Sequence, residues 1–141
     1  IIEAYDRNSF HVKAIKPETV AKSLAIGNPP DGFYSLKVIE SSSGTATAAP
    51  EKEIAECIKL LANTEGIFTE TAGGVVISSL RQLAKSGKIG KDEITVAYIT
   101  GNGLKTQEIF TDSIIEINTS PKLKDFENSL LEHKNKTLIS T

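Results

Sequence analysis

One uncharged run, Ile94 to Thr100, constrains the fold of this chain more than any other stretch. Its seven residues, ITVAYIT, are nearly all apolar or β-branched, which predicts a central strand of a parallel sheet, buried on both faces. The run ends at Gly101-Asn102-Gly103, and ligands of open α/β sheets bind at the carboxyl ends of strands. A threonine hydroxyl followed by bare glycine backbone therefore predicts a ligand site. The competing interpretation is a hairpin, because Asn-Gly favours a tight turn into a return strand.

The other elements are predicted from helix-start chemistry and from the spacing of apolar residues. Helices are expected where proline, hydroxyl or acidic residues open a segment with an apolar face. Their starts lie near Lys16, Asp31, Pro50, Thr71 and Ser120. Short strands are expected at 45–49, 67–68 and 113–118. This order predicts an α/β fold, a three-layer α/β/α piece whose parallel sheet is incomplete.

Composition excludes several classes of function. The 16 basic and 18 acidic residues are well mixed, so no basic stripe predicts nucleic-acid or membrane binding. A single cysteine excludes an internal disulfide and offers no metal cluster, and a cytoplasmic location is expected. Cys57 lies on the apolar stripe of a predicted helix and is expected to be a buried structural thiol. His11 lacks a neighbouring group to orient it and is expected to be an exposed structural histidine.

Three short motifs occur in order along the chain: AIGNP at 25–29, TEGIFTETAGG at 64–74 and TGNGLK at 100–105. Together they resemble the C-terminal part of the threonine synthases, pyridoxal-phosphate enzymes of fold type II, the tryptophan synthase β-like family. The resemblance covers residues 16–105. It implies that the whole chain, 1–141, is one C-terminal portion of the cofactor-binding catalytic domain and that residues 106–141 are its C-terminal extension. One position departs from the family pattern. Thr71 stands where the family usually has proline, and it keeps the small helix-entry character.

The resemblance implies a cofactor site that includes Glu70, Thr100, Gly101 and Asn102. In the family, the threonine of TGNG faces the pyridine nitrogen of pyridoxal phosphate, and that residue here is Thr100. Gly101 would let the ring come close, Asn102 would fix the loop by bonds to backbone, and Glu70 would point into or beside the site. The glycines after Glu70 are expected to serve close helix packing, because the Glu70 carboxylate would repel a phosphate.

The reaction implied by the resemblance is the conversion of O-phospho-L-homoserine and water to L-threonine and phosphate, carried out by a homodimer. The Schiff-base lysine and the phosphate-binding glycine loop would lie upstream of Ile1. This chain would then hold no catalytic residue and no metal ligand, and it is expected to be inactive alone. The start at Ile1 and the lack of methionine favour a fragment of a longer protein. Two alternatives stay open: a threonine or serine dehydratase, and a non-catalytic binding or dimerisation module of the same fold.

Overall fold

Helices dominate the structure, a computed structural model that describes residues 1–113 and 117–139. The α-helices are α1 (Ile2–Asp6), α2 (Gly32–Ser41), α3 (Glu51–Glu65), α4 (Thr71–Lys85) and α5 (Leu123–Ile139). Short 3-10 helices cover Lys22–Leu24, Gly103–Lys105 and Gln107–Ser113. The chain divides into two compact units, Ile1–Ile109 and Phe110–Thr141. The helices predicted near Asp31, Pro50, Thr71 and Ser120 are confirmed as α2, α3, α4 and α5.

Helix α3 forms where its sequence provides both a start and a stop. Pro50 precedes the helix in extended conformation, and Glu51 and Glu53 place negative charge beside the positive end of the helix dipole. Gly66 ends it with a φ of 69°, in the left-handed region that glycine adopts without strain. The buried residues of α3 recur at three- and four-residue spacing and form one apolar stripe: Ile54, Cys57, Ile58 and Leu61.

The core of the first unit lies between α3 and α4. A Cβ placed on Gly74 of α4 would lie 2.7 Å from the carbonyl oxygen of Ile54 and 2.8 Å from Cγ1 of Ile58. The two helix backbones therefore approach too closely for any larger residue at this position. This contact is the close packing predicted for the glycines after Glu70.

A smaller apolar cluster continues this interface. Cys57 and Leu61 of α3 and Ile77 of α4 are buried together, and Ile99 packs against them. Cys57 is fully inaccessible, so the prediction of a buried structural thiol is confirmed. His11 is exposed, as predicted. Over the described residues, no helix combines the length and the apolar character needed to cross a membrane.

The helix predicted to begin near Lys16 is wrong. Residues 16–20 contain no helix, and a short 3-10 helix follows at Lys22–Leu24. The reason is that backbone N–H groups in this segment bond elsewhere than to carbonyls four residues earlier. Val20 N donates to Glu51 Oε2 at the start of α3, and Ala21 N donates to the Thr19 hydroxyl. Tertiary partners thus override the local helix signal.

The predicted parallel sheet is not confirmed, since the described residues form no β-strand beyond one isolated antiparallel bridge between Thr69 and Asn102. The predicted strand 45–49 is absent, and its Thr47 and Ala48 instead bond to the Gln82 side chain of α4. The predicted strand 67–68 is absent as well, and only the residue that follows it, Thr69, takes part in the β-bridge. Of the predicted edge strand 113–118, residues 114–116 lie outside the described part of the chain.

The prediction that the run 94–100 is a strand buried on both faces is wrong. Three of its side chains are largely exposed, at 97%, 71% and 77% for Ile94, Val96 and Tyr98. The hairpin interpretation is wrong too, because Gly103–Lys105 forms a 3-10 helix where the return strand would begin. The apolar side chains of the run therefore meet few partners among the described residues, and Ile99 is the one that joins the core cluster.

Candidate functional site

Two segments that are distant in sequence meet at the start of α4. We call residues 68–71 the entry turn and residues 101–106 the glycine loop. Thr69 Oγ1 donates to the Gly101 carbonyl at 2.9 Å, and the Glu70 backbone N–H donates to the same oxygen at 3.1 Å. Gly103 N donates to the Phe68 carbonyl at 3.1 Å. These bonds bring two motifs that are separate in sequence, TEGIFTETAGG and TGNGLK, into one site.

The glycines of the loop are required by this approach. A Cβ on Gly101 would lie 1.9 Å from Glu70 Oε1 and 2.2 Å from Glu70 Cδ. A Cβ on Gly103 would lie 2.5 Å from the nearest ring atoms of Phe68. Real Cβ atoms do not come this close, so each position excludes every side chain while its neighbour stays in place. The structure thus shows that Gly101 allows the contact with Glu70, and its approach to the cofactor ring stays a prediction.

Glu70 carries the buried charge of the site. The residue is 8% exposed, and its Oε2 lies 3.8 Å from the ammonium nitrogen of Lys105 in the glycine loop. Burial of a carboxylate is costly unless a positive group or hydrogen bonds compensate for lost water. The Lys105 side chain is largely exposed, so its ion pair is a partly screened contact. The pair adds a charge contact between the entry turn and the loop.

Polar side chains fix the loop from within and from outside. Asn102 Oδ1 accepts from Leu104 N at 2.9 Å and caps the 3-10 helix Gly103–Lys105, which is the loop-fixing role predicted for Asn102. Thr106 Oγ1 accepts from Thr71 N at 3.2 Å. The buried Thr71 Oγ1 has no hydrogen-bond partner among the described residues. The site therefore contains an uncompensated buried hydroxyl beside Glu70.

The remaining predicted residues lie in two places. Thr100 is exposed and directly precedes Gly101, so it stands at the edge of the joined segments. The hydrogen bonds of the AIGNP segment at 25–29 run to residues 15, 22, 24 and 32, and within the described chain none reaches the entry turn. The structure therefore joins two of the three motifs directly and leaves the third outside their hydrogen bonds.

Three polar residues of the site went unpredicted: Thr69, Lys105 and Thr106. Thr69 and Lys105 stand inside the quoted motifs, and Thr106 follows the last one. Their adjacency to Glu70 and to TGNGLK was the available signal. Their roles depend on contacts across more than 30 positions, as the 35-residue separation of Thr71 and Thr106 shows. Local sequence patterns do not encode such contacts.

A family model described as "Pyridoxal-phosphate dependent enzyme" matches residues 2–101 of this chain. This match covers most of the first unit, the whole entry turn and the first residue of the glycine loop, Gly101. The chain belongs to this family of pyridoxal-phosphate dependent enzymes. The prediction of the family and of its cofactor is thereby confirmed.

Several threonine synthases are among the curated proteins similar to this chain. The chain is 42% identical over 106 residues to the threonine synthase of Methanocaldococcus jannaschii, covering 74% of this chain and 26% of that protein. It is 39% identical over 98 residues to one from a Bacillus species, covering 70% and 28%. It is 36% identical over 118 residues to one from Halalkalibacterium halodurans, covering 84% and 33%. The chain thus spans between a quarter and a third of these relatives' length.

Proposed function

We propose that this chain is the C-terminal part of a threonine synthase, which converts O-phospho-L-homoserine and water to L-threonine and phosphate. The observation that carries the proposal is the direct hydrogen bonding of the entry turn to the glycine loop. It joins two motifs of the resemblance in a chain that is 36–42% identical to three threonine synthases over its matched residues. The proposal also includes a cytoplasmic homodimer without nucleic-acid or membrane partners.

The residues of the site fit pyridoxal phosphate. Thr100 offers an exposed, neutral hydroxyl one residue before backbone that carries no side chain at Gly101. The cofactor, when bound, supplies an electron sink for charge that develops on the substrate. A neutral hydroxyl suits a pyridine nitrogen because, unlike a carboxylate, it does not force that nitrogen to stay protonated. We assign Thr100 the contact to the ring nitrogen.

Glu70, Gly101 and Asn102 support this contact in the proposal. Asn102 holds the loop in its turn through the bond to Leu104 N, and Gly101 keeps the loop against Glu70. Glu70 is fixed at the entry to α4, where its backbone N–H bonds to the Gly101 carbonyl of the Gly101–Asn102 peptide, and in the proposal it orders the backbone that follows Thr100. These residues position the cofactor site, and we propose that proton transfer and phosphate binding belong to residues outside the 141 positions.

The test uses the complete native polypeptide that carries these residues, whatever its length. Incubated with O-phospho-L-homoserine, it should release phosphate and form an equal amount of L-threonine. A dehydratase would instead form a 2-oxo acid and ammonia from threonine or serine, so both assays are run on the same preparation. Oxo acid without phosphate release would replace the synthase by the dehydratase, and neither product would remove the enzymatic proposal.

The isolated 141-residue chain serves as the second arm of this test. We expect it to release no phosphate, because we assign none of its lysines to the cofactor's aldehyde and none of its glycine-rich segments to the cofactor's phosphate. Turnover by the isolated chain would overturn that division of roles. It would also direct attention to the lysines of this chain, Lys105 first, since it already lies 3.8 Å from Glu70.

A further inference from the structure

Helix α4 begins without a cap of its own. Glu70 occupies the N-cap position in extended conformation, and its side chain makes no capping hydrogen bond within the described structure. Helices usually receive such a bond from a Ser, Thr, Asp or Asn at the N-cap itself. Here the Thr71 N–H donates instead to the Thr106 hydroxyl, which lies 35 residues further along the chain. The glycine loop therefore satisfies one of the four free backbone N–H groups at the start of α4, and Thr106 caps the helix in this sense.

This bond gives the glycine loop a further attachment. At one end, the Gly101 carbonyl accepts from the Thr69 hydroxyl and from Glu70 N, and Gly103 N donates to the Phe68 carbonyl. At the other end, Thr106 Oγ1 accepts from Thr71 N. Among the described residues, without this last bond the part of the loop after Gly103 keeps only the partly exposed ion pair of Lys105 with Glu70 as a polar contact to the entry turn. The Thr106 bond is therefore the hydrogen bond that holds the C-terminal end of the loop against the entry turn.

The Glu70 carboxylate lies between the Gly101 end and the Thr106 end of the loop. Its Oε1 occupies the space where a Gly101 side chain would be, and its Oε2 faces the Lys105 ammonium at 3.8 Å. Lys105 directly precedes Thr106, so movement of Thr106 displaces the positive partner of Glu70. Movement of the loop also changes how Thr100 is presented, because Thr100 directly precedes Gly101.

We infer that Thr106 is a positioning residue for the cofactor site: its hydroxyl caps α4 and thereby sets Glu70 and Thr100 relative to each other. The inference rests on the proposed cofactor site. Thr106 itself touches neither cofactor nor substrate in this assignment and acts through Thr71, Lys105 and Gly101. A structural threonine without this role would affect stability and leave the electronic surroundings of the cofactor unchanged.

The test compares Thr106→Val, Thr106→Ser and the control Thr64→Val in the complete native protein loaded with pyridoxal phosphate. Valine keeps the shape of threonine and removes the acceptor oxygen, whereas serine keeps the oxygen. Thr64 is an exposed helix residue whose hydroxyl bonds to the Leu60 carbonyl of its own helix. The readouts are hydrogen exchange of the Thr71 amide, the absorbance spectrum of the bound cofactor, and kcat and KM separately.

For Thr106→Val we expect the Thr71 amide hydrogen to exchange roughly three- to tenfold faster, because the variant loses about one hydrogen bond. The cofactor absorbance should shift, and kcat should fall by roughly ten- to hundredfold, as expected for misplacement of a site by about 1 Å. Thr106→Ser should restore exchange, spectrum and kcat close to the parent values, and Thr64→Val should leave all three unchanged. If the valine variant does not fold, Thr106→Ala removes the same oxygen with less bulk.

Three results would overturn the inference. Unchanged exchange at Thr71 in the variants that lack the oxygen would show that the hydroxyl does not cap α4. Faster exchange with an unchanged cofactor spectrum and kcat would reduce Thr106 to a structural residue. Serine that behaves like valine would exclude the hydroxyl as the cause. A parent protein that binds no pyridoxal phosphate would overturn the proposed function as well, which separates that failure from the other three.

Discussion

The continuous run from Ile94 to Thr106 contains two halves that differ in their contacts with the entry turn. In the first half, Ile94, Val96 and Tyr98 are apolar and largely exposed. In the second half, small and polar residues are attached to the entry turn, and Gly103 is buried against Phe68. Apolar composition by itself therefore does not bury a segment. A residue becomes buried only where another part of the described chain packs against it, as Phe68 does against Gly103.

The physical difference lies in the partners available to each half. The glycine loop gains hydrogen bonds to Phe68, Thr69 and Glu70, and its missing side chains allow the backbones to touch. The first half touches the core through Ile99 and leaves its alternate residues toward solvent. Exposed apolar area of this kind is typical of surfaces that contact another segment or protein. The two halves can therefore be tested against each other with single substitutions.

The largest effect is expected from Gly101→Ala. The new Cβ would stand 1.9 Å from Glu70 Oε1, so the buried carboxylate or the loop backbone must move. Overpacking of this kind costs about 1–3 kcal/mol in the free energy of unfolding, measured by urea denaturation of the protein. Gly90→Ala is the matched control, because its nearest neighbour is the flexible Glu93 side chain at 3.3 Å. Equal destabilisation by both variants would show that the close contact of Gly101 with Glu70 does not require glycine.

How far the sequence predicts this molecule depends on where the partners of each segment lie. Helix α3 was predictable because it carries its own start and stop, and α4 was predictable because it buries one face against α3. The helix expected near Lys16 was wrong because Val20 bonds to Glu51, 31 residues away. Parallel strands pair only across a long crossover connection, so their partners are remote in sequence, and periodicity alone could not establish the sheet.

The candidate site divides in the same way. Glu70, Thr100, Gly101 and Asn102 were predicted from motifs, and the structure joins Glu70 to Gly101 through a bond at 3.1 Å. Thr106 was missed because capping is normally a local signal, and here the acceptor is remote in sequence. The cofactor-binding roles themselves stay predictions.

The second prediction concerns Thr100, where the two halves of the run meet. We expect Thr100→Ala in the complete protein to lower turnover about tenfold, the cost of about one hydrogen bond to the cofactor ring. The absorbance of the bound cofactor should change, while unfolding stability should change little because Thr100 is exposed. Thr95→Ala, at another exposed threonine of the same run, is the control. An unchanged spectrum and rate would refute the assigned role of Thr100.

The third prediction separates hydrogen bonding from packing in the second half. Thr69→Val removes the hydroxyl that donates to the Gly101 carbonyl at 2.9 Å and keeps the buried volume. We expect a loss of about 1 kcal/mol in the free energy of unfolding. The loss is limited because Glu70 N still donates to the same carbonyl. A loss near zero would mean that the glycine loop is held by the closeness of its backbone rather than by this hydroxyl.

The smallest effect is expected from Ile94→Ala in the first half. Ile94 is 97% exposed, so its removal should change the free energy of unfolding by less than about 0.5 kcal/mol. The matched variant Ile99→Ala lies in the same run and removes a side chain that packs against Cys57, Leu61 and Ile77. For this half-buried residue we expect about 1–2 kcal/mol, below the cost of emptying a fully buried site. If Ile94→Ala costs as much as Ile99→Ala in the complete protein, the run is buried on both faces there. The contrast between its two halves would then belong to this chain alone, and the strand predicted from its composition would regain support.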